Sequence, residues 1–460
     1  METVRYGEQG YKVLLMQLGL KRAGQDLALD GIFGRGTARA LTSFQREQGL
    51  SADGIAGKLT WTALYPYLAG YVFYQVRRGD SFYSVAQRSG TPAAALAVAN
   101  PQADPMDLRP GAMLTVPLGF SLVTEEIPYS HILCGLILKG LEKRYPFITL
   151  TTIGSSVMGR PLLCARMGRG RRQVFCNAAH HANEWITTPV LLKFLEEYAF
   201  AYAFAAEGTG EEAEAKDMYA KATAWLVPMV NPDGVDLVTG ALPEEDSYYK
   251  QAEGLASYYP GIPFPSGWKA NISGTDLNLQ YPAGWEEAQR IKYAQGFVRP
   301  GPRDYVGPSP LSAPESRAVA DFTRKNVFDR TLSYHTQGQV LYWQYKDIYV
   351  SGAEALTERY AEVSGYTMEQ VPEELVKEQF DRVLKTVQET AREQVSRYQG
   401  QICDVLVEEI NENDSSLVTG RMSNNTLVHF PGDISLVGKL VNVSLDECHG
   451  FYYMGHMVQS

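Results

Sequence analysis

Apolar positions recur at helical spacing through the first 70 residues. YKVLLMQLGL (11–20) is one such stretch, and TARALTSFQREQGL (37–50) is a second that closes at Gly49. From about 74 to 117 the pattern changes. Short strands are expected around Val76 and Val116, with helical stretches between them and Ser81 near the N-cap of the first. Further on, RQVFCNAA (172–179) and AWLVPMV (224–230) are apolar runs of buried-strand length, and TLSYH (331–335) is a shorter one. ITTPVLLKFLEEYAFAYAF (186–204) is an apolar-striped helix. Buried strands interleaved with helices predict a mixed α/β/α sandwich at the centre of the chain. From 373 the texture changes again. A long amphipathic helix is predicted up to Gly400, with apolar residues at 376, 380, 383, 384, 387, 391, 395 and 398. Five short alternating segments follow, the pattern of a small antiparallel β-barrel.

The first module repeats. DGIFGRGTARAL (30–41) and DGIAGKLTWTAL (53–64) agree at seven of twelve positions, 23 residues apart. Each copy is an Asp-Gly turn followed by a threonine that opens a helix. The string as a whole resembles the peptidoglycan-binding domain of wall hydrolases, which implies a helical module over residues 1–68. YQVRRGDSFYSVAQRSG and AVANPQADPMDLRPGAMLTVP, in residues 71–118, resemble a LysM domain. That implies a βααβ fold and recognition of N-acetylglucosamine polymers.

Composition narrows the class. With 45% hydrophobic and 20% charged residues the chain is an ordinary globular one of 460 residues and several domains. Its longest apolar runs are too short for a membrane span, and METVRYGEQG, with no cationic stretch leading into an apolar one, is not expected to act as a signal peptide. A net charge of −10 argues against a nucleic-acid protein, although residues 1–120 hold 12 basic against 9 acidic side chains. Five scattered cysteines (Cys134, Cys164, Cys176, Cys403, Cys448) without CxxC spacing fit a reduced compartment.

The central region carries the chemistry. The strand at 172–179 runs into His180-His181-Ala182-Asn183-Glu184, where His181 and Glu184 stand at i and i+3. They can address one point if the turn is helical, and zinc accepts both donor types. IGSSVMGRPL, HHANEW, NPDG, GTDLNLQY, PLSAPESR and TLSYH occur in the order found in the zinc carboxypeptidase family. The chain resembles most the bacterial γ-D-glutamyl-diaminopimelate peptidases, which cut murein stem peptides. The resemblance runs over 125–371. It implies one Zn²⁺ per chain held by His181, Glu184 and His335, with His180 as a packing or supporting residue. It implies substrate contacts at Asn278 and Lys269, the latter near the position of an oxyanion-polarising arginine. Leu279 stands where digestive members place the arginine that grips a terminal carboxylate, so a free α-carboxylate is not required.

The family's general base is a glutamate in a C-terminal strand with a T-x-E pattern. The match to those letters is Thr367-Met368-Glu369, but Glu369 comes only 34 residues after His335, in a segment that does not look like a strand. The base is therefore expected to be missing, the domain truncated, and activity impaired. Residues 372–399 and 400–460 resemble the linker helix and TRAM domain of tRNA methylthiotransferases, so the chain has the form of a fusion. No cysteine spacing supports a radical-chemistry cluster, and residues 400–460 hold two basic against eight acidic side chains, which argues against RNA binding. The expected partners are peptidoglycan glycan strands and stem peptides, with no membrane. The expected location is the cytoplasm, such as the mother cell of a sporulating bacterium, or the wall after release.

Overall fold

The N-terminal module folds as three helices, α1 (Tyr11–Arg22), α2 (Arg35–Glu47) and α3 (Lys58–Ala69). Its sequence repeat has a structural counterpart that the letters alone do not display. In the first copy the buried Gln17 amide donates to Asp30 Oδ1 at 2.7 Å and to Thr37 Oγ1 at 3.0 Å, while its oxygen accepts from Gly31 N–H at 2.8 Å. In the second copy Gln45 makes the same set, to Asp53 Oδ1, Thr60 Oγ1 and Gly54 N–H, each at 3.0–3.1 Å. A glutamine on the preceding helix thus clamps each Asp-Gly turn. Gln45→Leu leaves the half-buried Gly54 N–H without its partner and takes from the buried Thr60 hydroxyl its donor, leaving it only the Ile55 carbonyl. We expect it to lower the module's stability by about 1–3 kcal/mol, and loss of hydrogen-exchange protection at the Gly54 amide checks this.

The second module is β1 (Tyr71–Gln75), α4 (Phe82–Ser89), α5 (Ala93–Ala99) and β2 (Met113–Pro117), with β1 and β2 antiparallel. Ser81 caps α4, its hydroxyl accepting from Ser84 N–H in a reciprocal capping box.

The described structure of the remainder begins with α6 (His131–Arg144), β3 (Ile148–Ser155), β4 (Pro161–Gly168), β5 (Arg172–Ala178) and α7 (Thr187–Phe204). It continues through α8 (Gly210–Lys221), β6 (Ala222–Val227), α9 (Pro232–Val238), α10 (Ser247–Ala256), α11 (Trp285–Ala294), α12 (Pro314–Lys325) and β7 (Arg330–Tyr334). The five strands form one mixed sheet in the order β3-β4-β6-β5-β7, with β6, β5 and β7 mutually parallel. β5 is buried on both faces: Cys176 and Ala178 pack with Leu191 and Leu195 of α7, and Phe175 packs with Val319 of α12. Two-sided burial is why this strand reads as an unbroken apolar run. The chain therefore has the expected α/β/α sandwich, preceded by the two small modules.

The modules are docked on the sandwich, with one apolar core running from Val4 to Val235. Buried Arg144 of α6 donates to the carbonyls of Gly70, Leu118 and Phe120 at 2.7–3.0 Å. Buried Glu196 of α7 accepts from Ser121 Oγ and from Leu122 and Val123 N–H at 2.6–3.2 Å. Gly140 of α6 lies so close to the Ala69 carbonyl that no Cβ fits.

The computed structural model describes residues 2–205, 209–336, 338–345, 348–371, 398–411, 414–423, 426–448 and 452–458. The chain divides into two units, Met1–Thr336 and Gln337–Ser460, whereas the change of sequence texture falls at 373. The second unit opens with β8 (Val340–Tyr345), α13 (Ala353–Ser364) and β9 (Thr367–Val371), with β8 and β9 parallel. This corrects one expectation: Glu369 does lie in a strand, opposite Tyr342. The predicted linker helix falls at 372–399, and its residues 372–397 lie outside the described ones. β10 (Ile402–Ile410), β11 (Leu417–Met422), β12 (Leu427–Pro431), β13 (Leu440–Cys448) and β14 (Tyr452–Met457) close into a barrel in the order β10-β11-β12-β14-β13. It is not wholly antiparallel, because β12 and β14 run parallel. Five strands cannot alternate in direction around a closed ring, so one like-directed pair is unavoidable. Among the described residues no helix is long and apolar enough to cross a membrane.

Candidate metal centre

The site lies at the C-terminal ends of the parallel strands, where open α/β sheets place their ligands. Pairing of β5 with β7 sets Ala178 opposite Tyr334. His335, the next residue, therefore arrives beside the turn that follows β5. That turn is tightly specified. Ala179 takes a left-handed conformation, φ 51°, which L-residues rarely adopt. Its N–H donates to Thr187 Oγ1, and the Thr187 hydroxyl donates to the Glu184 carbonyl. Asn231 holds the His180 carbonyl from the end of β6.

His181 caps a 3₁₀ turn, Ala182–Glu184. With three residues per turn, i and i+3 eclipse, so His181 and Glu184 stand over one another. His181 Nδ1 is 2.9 Å from Glu184 Oε1, and His335 Nδ1 is 2.9 Å from Glu184 Oε2 and 3.3 Å from His181 Nδ1. One donor atom from each residue falls within 4.8 Å of the others. His335 Nδ1 and His181 Nδ1 point at each other across the carboxylate, an arrangement a shared cation satisfies. His181 Nε2 lies 3.3 Å from Asp276 Oδ1, and Asp276 Oδ2 accepts from the Asp304 N–H. A carboxylate on the outer nitrogen is the usual support for a metal-binding imidazole, since it fixes the ring and its tautomer.

The carboxylates favour positive charge at the cluster. Burial opposes charge on His181, but hydrogen bonds to Asp276 and Glu184 outweigh it and raise its pKa to about 9. Burial would also raise Glu184, yet the two imidazoles hold its carboxyl well below the usual carboxylate range. His180 behaves differently. Burial, aided by the neighbouring imidazoles, pushes it down to about 3, and its Nε2 meets Tyr281 OH at 2.8 Å. It packs beside the cluster, its ring 5.8 Å from that of His335.

Lys269 is largely buried, with Nζ 3.6 Å from Glu184 Oε1. Its backbone and that of Trp268 hold the 3₁₀ turn through the N–H groups of Ala182 and Asn183. Asn278 is exposed on the turn Leu277–Gln280, where its N–H donates to Asp276 Oδ1. Glu369 belongs to the second unit. The structure thus gathers His181, Glu184, His335 and Lys269, leaves Asn278 at the rim of the Asp276 turn, and adds Asp276, which the sequence reading passed over. The available signal was its place two residues before Asn278 in DLNLQ.

An α/β/α sandwich with two imidazoles and a carboxylate converging at its strand ends defines a metal-site protein of the hydrolase type. The comparisons are more specific: residues 136–429 match the zinc carboxypeptidase family, and the chain belongs to that family. Residues 9–64 match a peptidoglycan-binding domain and 74–117 a LysM domain. The chain is 38% identical over 249 residues to gamma-D-glutamyl-L-diamino acid endopeptidase 1 of Lysinibacillus sphaericus, covering 54% of this chain and 61% of that protein. It is also 38% identical over 223 residues to YqgT of Bacillus subtilis, covering 48% of this chain and 57% of that one. The chain thus spans about three-fifths of the length of each of these relatives. A separate stretch of 94 residues is 53% identical to the tRNA-2-methylthio-N(6)-dimethylallyladenosine synthase of Lachnoclostridium phytofermentans, 20% of this chain and 21% of that enzyme. Part of the chain is therefore similar to a part of that synthase as well.

Proposed function

We propose that the chain holds one zinc ion through His181, Glu184 and His335 and acts on γ-D-glutamyl–diaminopimelate bonds of murein stem peptides, with the two N-terminal modules binding the glycan. The observation that carries this reading is the convergence of three donor atoms within 4.8 Å, beside a fourth residue that fixes one of the rings. The murein substrate is supported by the two wall-binding modules and by the relative from Lysinibacillus sphaericus. Action inside a sporulating mother cell, or at the wall after release, follows from that substrate.

Zinc in such a site supplies Lewis acidity and lowers the pKa of bound water. The chain's own residues do the rest. Asp276 orients His181, and Thr336 N–H together with Lys269 fixes the Glu184 carboxylate. The Lys269 ammonium is placed to draw an oxyanion toward the cluster. Leu279 offers no charge to a terminal carboxylate, which suits a substrate cut within a stem peptide.

A second reading is also favoured by an observation. Among the described residues, the carboxylates that bond within the cluster are Glu184 and Asp276, and both are engaged there. We therefore propose that turnover is severely impaired and that murein binding outlasts it. Zinc-dependent release of diaminopimelate-containing fragments from purified muropeptides, lost on chelation, supports the peptidase. Retention on insoluble murein with no release at any zinc concentration makes the chain a binding protein. Asp276→Asn keeps the shape but loses the charge that steadies His181. Its zinc affinity, measured by chelator competition, is expected to fall about 10–100-fold.

A further inference from the structure

The long helix α7 has one face that the proposed function does not use. Its 18 residues pack Leu191, Leu192, Leu195 and Tyr198 into the core. On the opposite side Ile186, Val190 and Phe200 remain 48%, 55% and 58% exposed, and Phe194 flanks them. Ile186 precedes the helix with helical dihedrals, so it continues the stripe. At 3.6 residues per turn, positions 186, 190, 193, 197, 200 and 204 fall within an arc of about 80°. They read Ile, Val, Lys, Glu, Phe, Phe. Four apolar side chains, of which Phe204 is half-buried against Tyr145 and Phe200, bracket one lysine and one glutamate that pair within the helix, Lys193 Nζ lying 3.6 Å from Glu197 Oε1. The helix also lines a groove of about 810 Å³, to which Pro92 of the second module and Met218 of α8 contribute.

The stripe is self-complementary about residue 195. If a second α7 is laid antiparallel on the first, with a two-fold axis through that point, Ile186 meets Phe204, Val190 meets Phe200, and Lys193 meets Glu197. Every apolar residue finds an apolar partner, and the Lys193–Glu197 pair of one helix meets that of the other with opposite signs facing. A stripe built to enter a lipid surface would not carry a glutamate and a lysine at its centre. A stripe built for an unrelated partner has no reason to satisfy a two-fold axis, which isologous contacts require.

We propose that the exposed face of α7 is a homodimer interface, occupied by the α7 face of a second copy of this chain in antiparallel register. An 18-residue helix is about 27 Å long. One helix pair buries less than a standard interface of about 1,600 Å², so self-association is expected to be weak and is sought between about 1 and 100 μM.

Sedimentation velocity of the full chain across that range tests the proposal. The wild type should pass from monomer to dimer. Phe200→Glu should weaken association by more than about tenfold, with the far-UV spectrum and melting transition retained. Charge reversal tests the register. Lys193→Glu alone and Glu197→Lys alone should each weaken self-association, because each sets like charges opposite one another. An equimolar mixture of the two variants should form heterodimers, since both cross-pairs are then of opposite sign, and the double variant should dimerise again. A wild type that stays monomeric at about 300 μM overturns the proposal. So does a dimer that persists in Phe200→Glu, or a mixture that gains nothing over its components. Monomers that float with anionic vesicles overturn it in favour of a lipid surface.

Discussion

Glu184→Ala is expected to empty the metal centre. Zinc content by elemental analysis should fall from about one per chain to background, an effect larger than the roughly 10–100-fold loss typical of a supporting residue. The size follows from what the carboxylate does. It receives His181 on one oxygen and His335 on the other, accepts the Thr336 N–H, and lies 3.6 Å from the Lys269 ammonium. Without it, two imidazoles and a lysine face one another with no carboxylate between them, Asp276 lying on the outer nitrogen of His181, and a divalent cation adds to that repulsion. Calorimetry supplies a second measure. A ligand that binds only the folded state stabilises it by about 2.7 kcal/mol at a hundred times its dissociation constant, so zinc should raise the melting temperature of the wild type and leave that of Glu184→Ala unmoved. Equal zinc retention by the variant would remove Glu184 from the ligand set.

The second large effect concerns turnover. Zinc-loaded chain is expected to cleave γ-D-glutamyl–diaminopimelate bonds about 10²–10⁴-fold more slowly than a relative with its general base in place. A water molecule at the cluster needs a carboxylate free to take its proton. Among the described residues the carboxylates that bond within the cluster are Glu184, held between two imidazoles, and Asp276, bonded to His181 and to the N–H groups of Asn278 and Asp304. Initial rates on a defined muropeptide, with and without zinc, measure the deficit. Rates at the level of ordinary peptidases would show that another group supplies the proton transfer, and Glu369→Gln then asks whether it is that residue.

Much of the site was legible because its residues follow directly from their elements. The apolar run at 172–179 announces a two-sided strand, the histidines follow it at once, and TLSYH ends in the third proposed ligand. Asp276 was harder to see, since its role depends on His181, 95 residues earlier in the chain. Only the folded turn shows that its carboxylate faces the outer nitrogen. β9 was missed for a related reason. TMEQV has no apolar alternation of its own, and its strand character comes from parallel pairing with β8. The tail's five strands could be read one by one, but not the parallel β12–β14 contact that closes them. Nor does any local pattern reveal that Glu196, in the helix KFLEEYAF, is a buried acceptor for a segment some 74 residues away.

That buried glutamate, with Arg144 beside it, turns what reads as a string of separate domains into a fixed joint. On the proposed function the distance from the glycan-gripping end to the hydrolytic end is then constant, as between the jaw and the blade of a pipe cutter. Such a tool gains avidity only on polymer whose repeat matches its span, and forfeits it elsewhere. Wall of one crosslinking geometry would be trimmed at regular intervals, and wall of another would be gripped without being cut.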